Sequence, residues 1–230
     1  MPSSVKVKIE PAEPITALAY PAPARSRLPV SLILAHGAGA NQTSGFMVEF
    51  ATALAARGIG TLTFNFAYTE AGRRIPDRND KLEACYRKVI QAFQEGLFEK
   101  HLGKGGLIIG GKSMGGRIAS QVAAKDGGFA GLVFLGYPLH PPGRPEQLRA
   151  SHLPSIRASM LFVQGERDAF GTPEELTPVL RGLKPLTELC IVKDADHSFK
   201  VPKRADRTQT QAHEFVLDAI EQWVRRTTTK

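Results

Sequence analysis

Cysteine and tryptophan are nearly missing from this chain, with two Cys and one Trp among 230 residues. Cys85 falls in a helical pattern and Cys190 in a strand pattern. They read as small buried thiols, which excludes a disulfide scaffold and a cysteine metal site. No metal and no cofactor is expected. Long apolar runs are also absent: none approaches the roughly 20 residues needed to cross a bilayer. The opening Met1-Pro2-Ser3-Ser4-Val5-Lys6-Val7-Lys8 has no apolar stretch of the signal-peptide kind. Together these absences predict a cytoplasmic protein with no membrane partner.

Acidic residues are in the minority, 22 Asp and Glu against 30 Lys and Arg, for a net charge of +8. The basic residues are densest at Arg73-Arg74 with Arg78, and at Lys200, Lys203 and Arg204. Neither group is interleaved with aromatics, and no nucleic-acid-binding signature accompanies them, so no nucleic-acid partner is expected. Most of this charge reads as a solvated surface. Both groups follow predicted strands, so they can also frame a pocket for an anionic substrate. Hydrophobic residues make up 42% of the chain, an ordinary share for a globular protein. The length suits one α/β domain over 1–230 with a substantial core.

The stretch Gly110-Gly111-Lys112-Ser113-Met114-Gly115-Gly116 fits two motifs with different chemistries. From Gly111 it is G-x-S-x-G, the turn that presents a serine nucleophile. From Gly106 it is G-x-x-x-x-G-K-[ST], a phosphate loop in which Lys112 would bind phosphate and Ser113 magnesium. The flanking residues decide. A phosphate loop needs its strand before Gly106, where the chain reads Glu99-Lys100-His101-Leu102-Gly103-Lys104-Gly105, too polar and glycine-rich for a buried strand. The apolar triplet Leu107-Ile108-Ile109 lies inside the would-be loop and reads as a strand itself. A helix over 114–124 follows. Strand, tight turn and helix are what the nucleophile reading requires.

Strand patterns at 30–34, within 60–66, and at 107–109, 132–135, 160–163 and 189–192 alternate with helical patterns. The helices are expected over 46–57, 80–98, 114–124 and 208–225, with 67–78 as a polar loop and the Pro-rich 11–29 as edge or loop structure. Such alternation predicts a mostly parallel sheet with helices on both faces. Ligands of such sheets sit beyond the carboxyl ends of the strands.

That rule filters the candidates. His197, in Asp194-Ala195-Asp196-His197-Ser198-Phe199 after the last strand, is the expected general base. His213 falls in the closing helix and reads as a helix-surface residue. His140, in a Pro-rich stretch, comes too early in the chain for the base but can line the pocket. Asp168, in Gln164-Gly165-Glu166-Arg167-Asp168 after the preceding strand, is the expected orienting acid. Glu166, Asp194 and Asp196 compete with it, and the latter two lie too close to His197 in sequence to reach its far side. The developing oxyanion needs two N–H donors. Met114, next after the nucleophile, supplies one, and Ala38 in His36-Gly37-Ala38-Gly39 the other. His36 reads as a buried imidazole holding that loop. Gly37, Lys112, Arg73 and Arg74 are expected at the substrate, the last three favouring a carboxylate or phosphate.

With these residues placed, the chain resembles the α/β-hydrolase superfamily, in its dienelactone-hydrolase-like group. It is similar to small hydrolases related to the hydrolase-like domain of a nonspecific-lethal histone-acetyltransferase-complex subunit and to a testis-expressed protein. The matching segments are His36-Gly37-Ala38-Gly39, Phe64-Asn65-Phe66 with Gly72-Arg73-Arg74, Gly111 to Arg117, Gln164 to Asp168, and Asp196-His197-Ser198-Phe199. The resemblance implies a serine hydrolase acting on a small ester or thioester through Ser113, Asp168 and His197. Dienelactone hydrolases use a cysteine nucleophile, and Ser113 departs from that pattern. No long insertion follows the strand at 132–135, so no large lid is expected. The rival reading is a catalytically silent fold serving as a protein-interaction module, as the likeness to a chromatin-complex subunit allows. Neither the oligomeric state nor the acyl length follows from the sequence.

Overall fold

Leu32-Ile33-Leu34, Leu107-Ile108-Ile109, Leu132-Val133-Phe134-Leu135 and Leu161-Phe162-Val163 are unbroken apolar runs. Strands of this kind are buried on both faces. In a computed structural model, which describes residues 3–8, 10, 14–183 and 186–228, these runs form the middle of one eight-stranded sheet. Its strands are β1 (Ser3–Val7), β2 (Ile15–Tyr20), β3 (Val30–Ala35), β4 (Gly60–Phe64), β5 (Gly106–Lys112), β6 (Gly131–Leu135), β7 (Met160–Gly165) and β8 (Thr187–Val192). The order across the sheet is β1-β2-β4-β3-β5-β6-β7-β8. From β4 to β8 every neighbouring pair is parallel. β1 and β2 add an antiparallel edge. Met1, Pro2 and Pro11 lie outside the described residues.

Alternate side chains of each strand feed two separate cores, as the two-residue period of a strand requires. Ile33, Ala35, Ile109 and Phe134 join one core with Leu82, Tyr86 and Val89 of α3 (Asn79–Gln94) and Ile118 and Val122 of α5 (Met114–Ala123). Leu32, Leu34, Ile108 and Val133 join the other, with Met47, Phe50 and Leu54 of α1 (Gly45–Ala56) and Val216, Ile220 and Trp223 of α7 (Gln209–Thr228). Arg57 at the end of α1 ties these two helices together through Glu214 and, at 3.0 Å, Asp218 of α7.

Several elements differ from the sequence expectation. The polar stretch after β4 holds one helical turn, α2 (Ala67–Glu70), in which Tyr68 is buried. The helix expected to reach residue 98 ends at Gln94; Gly96, at φ 83°, breaks it, and a short α4 (Glu99–Leu102) follows. A helix not foreseen, α6 (Pro173–Arg181), begins with a complete capping box between Thr172 and Glu175. Between β6 and β7 the chain forms only a 3₁₀ turn at Leu153–Ser155, so there is no lid domain. Among the described residues no helix is long and apolar enough to cross a membrane.

Candidate active site

A single residue separates β5 from α5. That residue, Ser113, has φ 51° and ψ −118°, a region that a residue with a Cβ enters only at a cost of about 1–3 kcal/mol. The surrounding backbone enforces the turn. A Cβ at Gly111 would lie 2.5 Å from the Ala35 oxygen, and one at Gly115 only 2.4 Å from it. Both positions therefore require glycine. Behind the turn the buried Tyr86 hydroxyl accepts from the Gly110 N–H at 3.1 Å. It lies 2.8 Å from the Gly110 oxygen and 3.0 Å from that of Ile33. Burial pushes this phenol well above its ordinary pKa, so its proton stays in place to donate. Because Gly106–Lys112 is strand throughout, the phosphate-loop reading fails on geometry.

The loop after β8 carries His197 to the turn. Asp196 shapes that loop, its Oδ1 accepting from the N–H groups of Ser198 at 2.8 Å and Lys200 at 2.9 Å. Glu166 fastens it from β7's side by accepting from the Asp194 N–H at 2.7 Å. Two of the rival acids, Glu166 and Asp196, thus hold the loop, and Asp194 joins it through its backbone. His197 Nε2 stands 2.8 Å from Ser113 Oγ, and His197 Nδ1 stands 2.7 Å from Asp168 Oδ2. A carboxylate only accepts, so Nδ1 bears the proton and Nε2 is free to accept from the serine hydroxyl.

Asp168 is fully buried, and a buried carboxyl group needs hydrogen-bond partners to offset its lost hydration. It has three: His197 Nδ1, the Phe170 N–H at 2.8 Å, and Gln164 Nε2 at 2.8 Å. Gln164 is itself buried. Its Oε1 accepts from the Tyr137 N–H at 2.8 Å, and its amide also reaches the Gly171 oxygen at 2.7 Å. The sequence reading assigned it no role, although a lone polar residue ending the apolar strand Met160-Leu161-Phe162-Val163 was the available signal. The Phe170 ring lies 4.2 Å, centre to centre, from the His197 imidazole.

The loop after β3 closes the other side. Buried His36 donates from Nδ1 to the Gly37 oxygen at 2.8 Å and accepts the Phe66 N–H at 3.3 Å. Burial lowers its pKa, which keeps it neutral and suits these two roles. A Cβ at Gly37 would sit 3.4 Å from the Ser113 Cβ, so the loop backbone passes directly over the serine. Among the described residues neither the Ala38 nor the Met114 N–H has an acceptor.

Beside Ser113 opens a cavity of about 710 Å³ whose walls include Ala38, Phe46, Met47, Phe170, His197 and Val201. Gly37 and Lys112 also line it, as expected. His213, read from the sequence as a helix-surface residue, faces this cavity instead. Its Nδ1 lies 2.6 Å from Glu49 Oε1 across the α1–α7 contact. Arg73 and Arg74 do not reach the cavity. They follow α2 on an exposed turn, and Arg73 is paired with Asp77 at 2.7 Å. His140 is buried, bonded to the Pro141 oxygen, and does not line the cavity either. A larger depression of about 970 Å³, between residues 123–129 and 154–158, lies at the opposite, amino ends of β6 and β7, far from this chemistry. Cys85 and Cys190 are free thiols, which burial pushes up to about 12 and about 11.

Solved structures share this architecture at low sequence identity. A serine hydrolase without a lid from Xanthomonas campestris is 20% identical, with a TM-score of 0.75, over 100% of this chain and 96% of that one. A dienelactone hydrolase from Anabaena variabilis is 19% identical, with a TM-score of 0.73, over 98% and 97%. Est1E from Butyrivibrio proteoclasticus is 13% identical, with a TM-score of 0.75, over 99% of each chain. The sequence model of the family described as alpha/beta hydrolase domain matches residues 29–225. The chain belongs to the α/β-hydrolase family that this model describes.

Proposed function

We propose that the protein hydrolyses small esters or thioesters through an acyl-enzyme formed on Ser113. The observation that carries this reading is the unbroken hydrogen-bonded chain from Ser113 Oγ through His197 to Asp168, at 2.8 and 2.7 Å. In this reading Ser113 attacks the acyl carbon while His197 Nε2 takes its proton. Asp168 holds the tautomer and stabilises the imidazolium without itself being protonated. The unbonded N–H groups of Met114 and Ala38 receive the oxyanion; removing one such donor typically costs about 3 kcal/mol of transition-state stabilisation. His197 then delivers its proton to the leaving group and activates the water that releases the acyl product. The fold it shares with a dienelactone hydrolase and a serine hydrolase supports the reaction class.

The absence of a lid favours small or extended substrates over buried lipid chains. Hydrolysis of p-nitrophenyl acetate, with and without Ser113→Ala, tests the reading. Turnover should depend on Ser113, and turnover unchanged in the variant sinks it.

A further inference from the structure

Several basic side chains around the sheet are paired with a carboxylate. Arg57 meets Glu214 and Asp218, Arg87 meets Asp126, and Lys193 meets Asp206. Lys112 differs. It precedes Ser113 on β5, and its stem passes Gly37, whose Cβ position is 3.8 Å from Lys112 Cγ. Its Nζ ends beside Gly136, 3.1 Å from the Cβ position there, a position itself 3.3 Å from His197 Nδ1. Nζ also stands over the Phe199 ring, 5.9 Å from its centre, a cation–π contact that attracts the ammonium but brings no counter-charge.

Among the described residues the Lys112 ammonium has no hydrogen-bond or ion-pair partner, although its backbone lies in the β5–β6 ladder. Asp168 and Asp196 act on it through space, but their oxygens are bound elsewhere, Asp168 to His197, Phe170 and Gln164, and Asp196 to Ser198 and Lys200. Burial lowers its pKa to about 8, which leaves it predominantly charged at neutral pH. An ammonium withdrawn from water without a counter-charge is costly. The walls of the cavity that Lys112 lines include Phe46, Met47, Phe170 and Val201, which offer an anion's hydrocarbon body a place; Lys200 and the Glu49–His213 pair also line it.

We propose that Lys112 is the anchor for a carboxylate on the substrate, so that the preferred substrates are esters or thioesters bearing a carboxylate a few bonds from the scissile carbonyl. This rests on the hydrolase reading above and names its substrate class. Lys112 and Ser113 are adjacent in the chain and both line the cavity, so one ligand there can meet both. The basic pair Arg73 and Arg74, outside the cavity, takes no part.

The test compares matched pairs of substrates. S-ethyl monothioglutarate against S-ethyl thiovalerate places the carboxylate on the acyl side. O-butyryl glycolate against its methyl ester places it on the alcohol side. The readout is the ratio of kcat/KM, anionic over neutral, in the wild type, Lys112→Met and Lys112→Arg. A hydrogen bond to a charged group is worth about one to two orders of magnitude in such a ratio. In at least one pair the wild-type ratio should exceed ten, fall at least tenfold in Lys112→Met and be largely kept in Lys112→Arg; that pair identifies the side. A ratio unaffected by Lys112→Met in both pairs overturns the proposal while leaving the hydrolase reading intact.

Calorimetry on Ser113→Ala provides a readout that needs no turnover. Monomethyl glutarate should bind more tightly than methyl valerate, and adding Lys112→Met should remove the difference. Equal binding before and after that substitution also overturns the proposal. Loss of all ester turnover in the wild type, with Lys112-dependent binding retained, defeats the hydrolase reading alone.

Discussion

Gln164 Nε2 donates to Asp168 Oδ2 at 2.8 Å, and the same oxygen receives His197 Nδ1 at 2.7 Å. One buried glutamine therefore fixes the carboxylate that orients the imidazole, while its own oxygen is held by the Tyr137 N–H at 2.8 Å. The residues after β6 and β7 are locked to each other by this side chain.

Replacing Asp168 by Asn leaves the shape but forces the wrong imidazole tautomer. It should lower kcat by about 10³- to 10⁴-fold with little change in fold. Gln164→Leu should be milder for activity, about tenfold in kcat, because Asp168 keeps two of its donors. It should also reduce stability by roughly 1–3 kcal/mol, since the Tyr137 N–H loses its acceptor in a buried place. Steady-state kinetics and urea unfolding of both variants separate the two effects.

Tyr86→Phe tests the support beneath the serine. The hydroxyl that accepts from the Gly110 N–H and lies within 3.0 Å of two strand carbonyls would be lost. Leaving these buried groups unsatisfied should cost about 1–3 kcal/mol. Chemical denaturation should show a lower midpoint with an unchanged slope, because the same surface is exposed on unfolding.

Gly115→Ala should be more damaging than most surface or helix glycine changes. The added methyl would lie 2.4 Å from the Ala35 oxygen, which is backbone and has no room to yield. Either the turn opens, abolishing activity, or the protein loses stability by several kcal/mol, on the order expected for overpacking combined with backbone strain. Gly127→Ala is the control, because nothing lies within 4 Å of its Cβ position.

His152 gives a pH signature. Burial, reinforced by the charge of Arg117, lowers its pKa to about 4, while Glu83 opposes this. The unfolded chain therefore takes up this proton first as pH falls. The corresponding stability is complete above the unfolded value of about 6.5 and is lost progressively down to about 4. Half-burial limits the loss to on the order of 1 kcal/mol. His152→Asn, which cannot titrate, should flatten the acid limb of melting temperature against pH between those values, at the cost of the contact with Ser120.

What could be read in advance was what short-range chemistry dictates. Gly111, Ser113 and Gly115 with a following helix encode their own turn, and Asp168 and His197 stand where parallel strands end. The direction a side chain takes was harder to foresee. Arg73 and Arg74 are dense in sequence, yet Gly72, at φ 69°, turns them toward solvent and Asp77. His213 sits on a helix whose surface α1 covers, so its exposed face existed only in the isolated helix. The antiparallel β1 and β2 left little pattern because prolines flank them and because β2 joins the main sheet through β4, more than forty residues further on.

Labelling with a fluorophosphonate probe, followed by mass mapping of the adduct, tests the central claim most directly, because the probe reacts only with a serine activated by a neighbouring base. One adduct per chain on Ser113, absent in Ser113→Ala and slowed at least a hundredfold in His197→Ala, is the result predicted by the 2.8 Å contact between Ser113 and His197. An unlabelled Ser113, or an adduct formed at the same rate without His197, would contradict it.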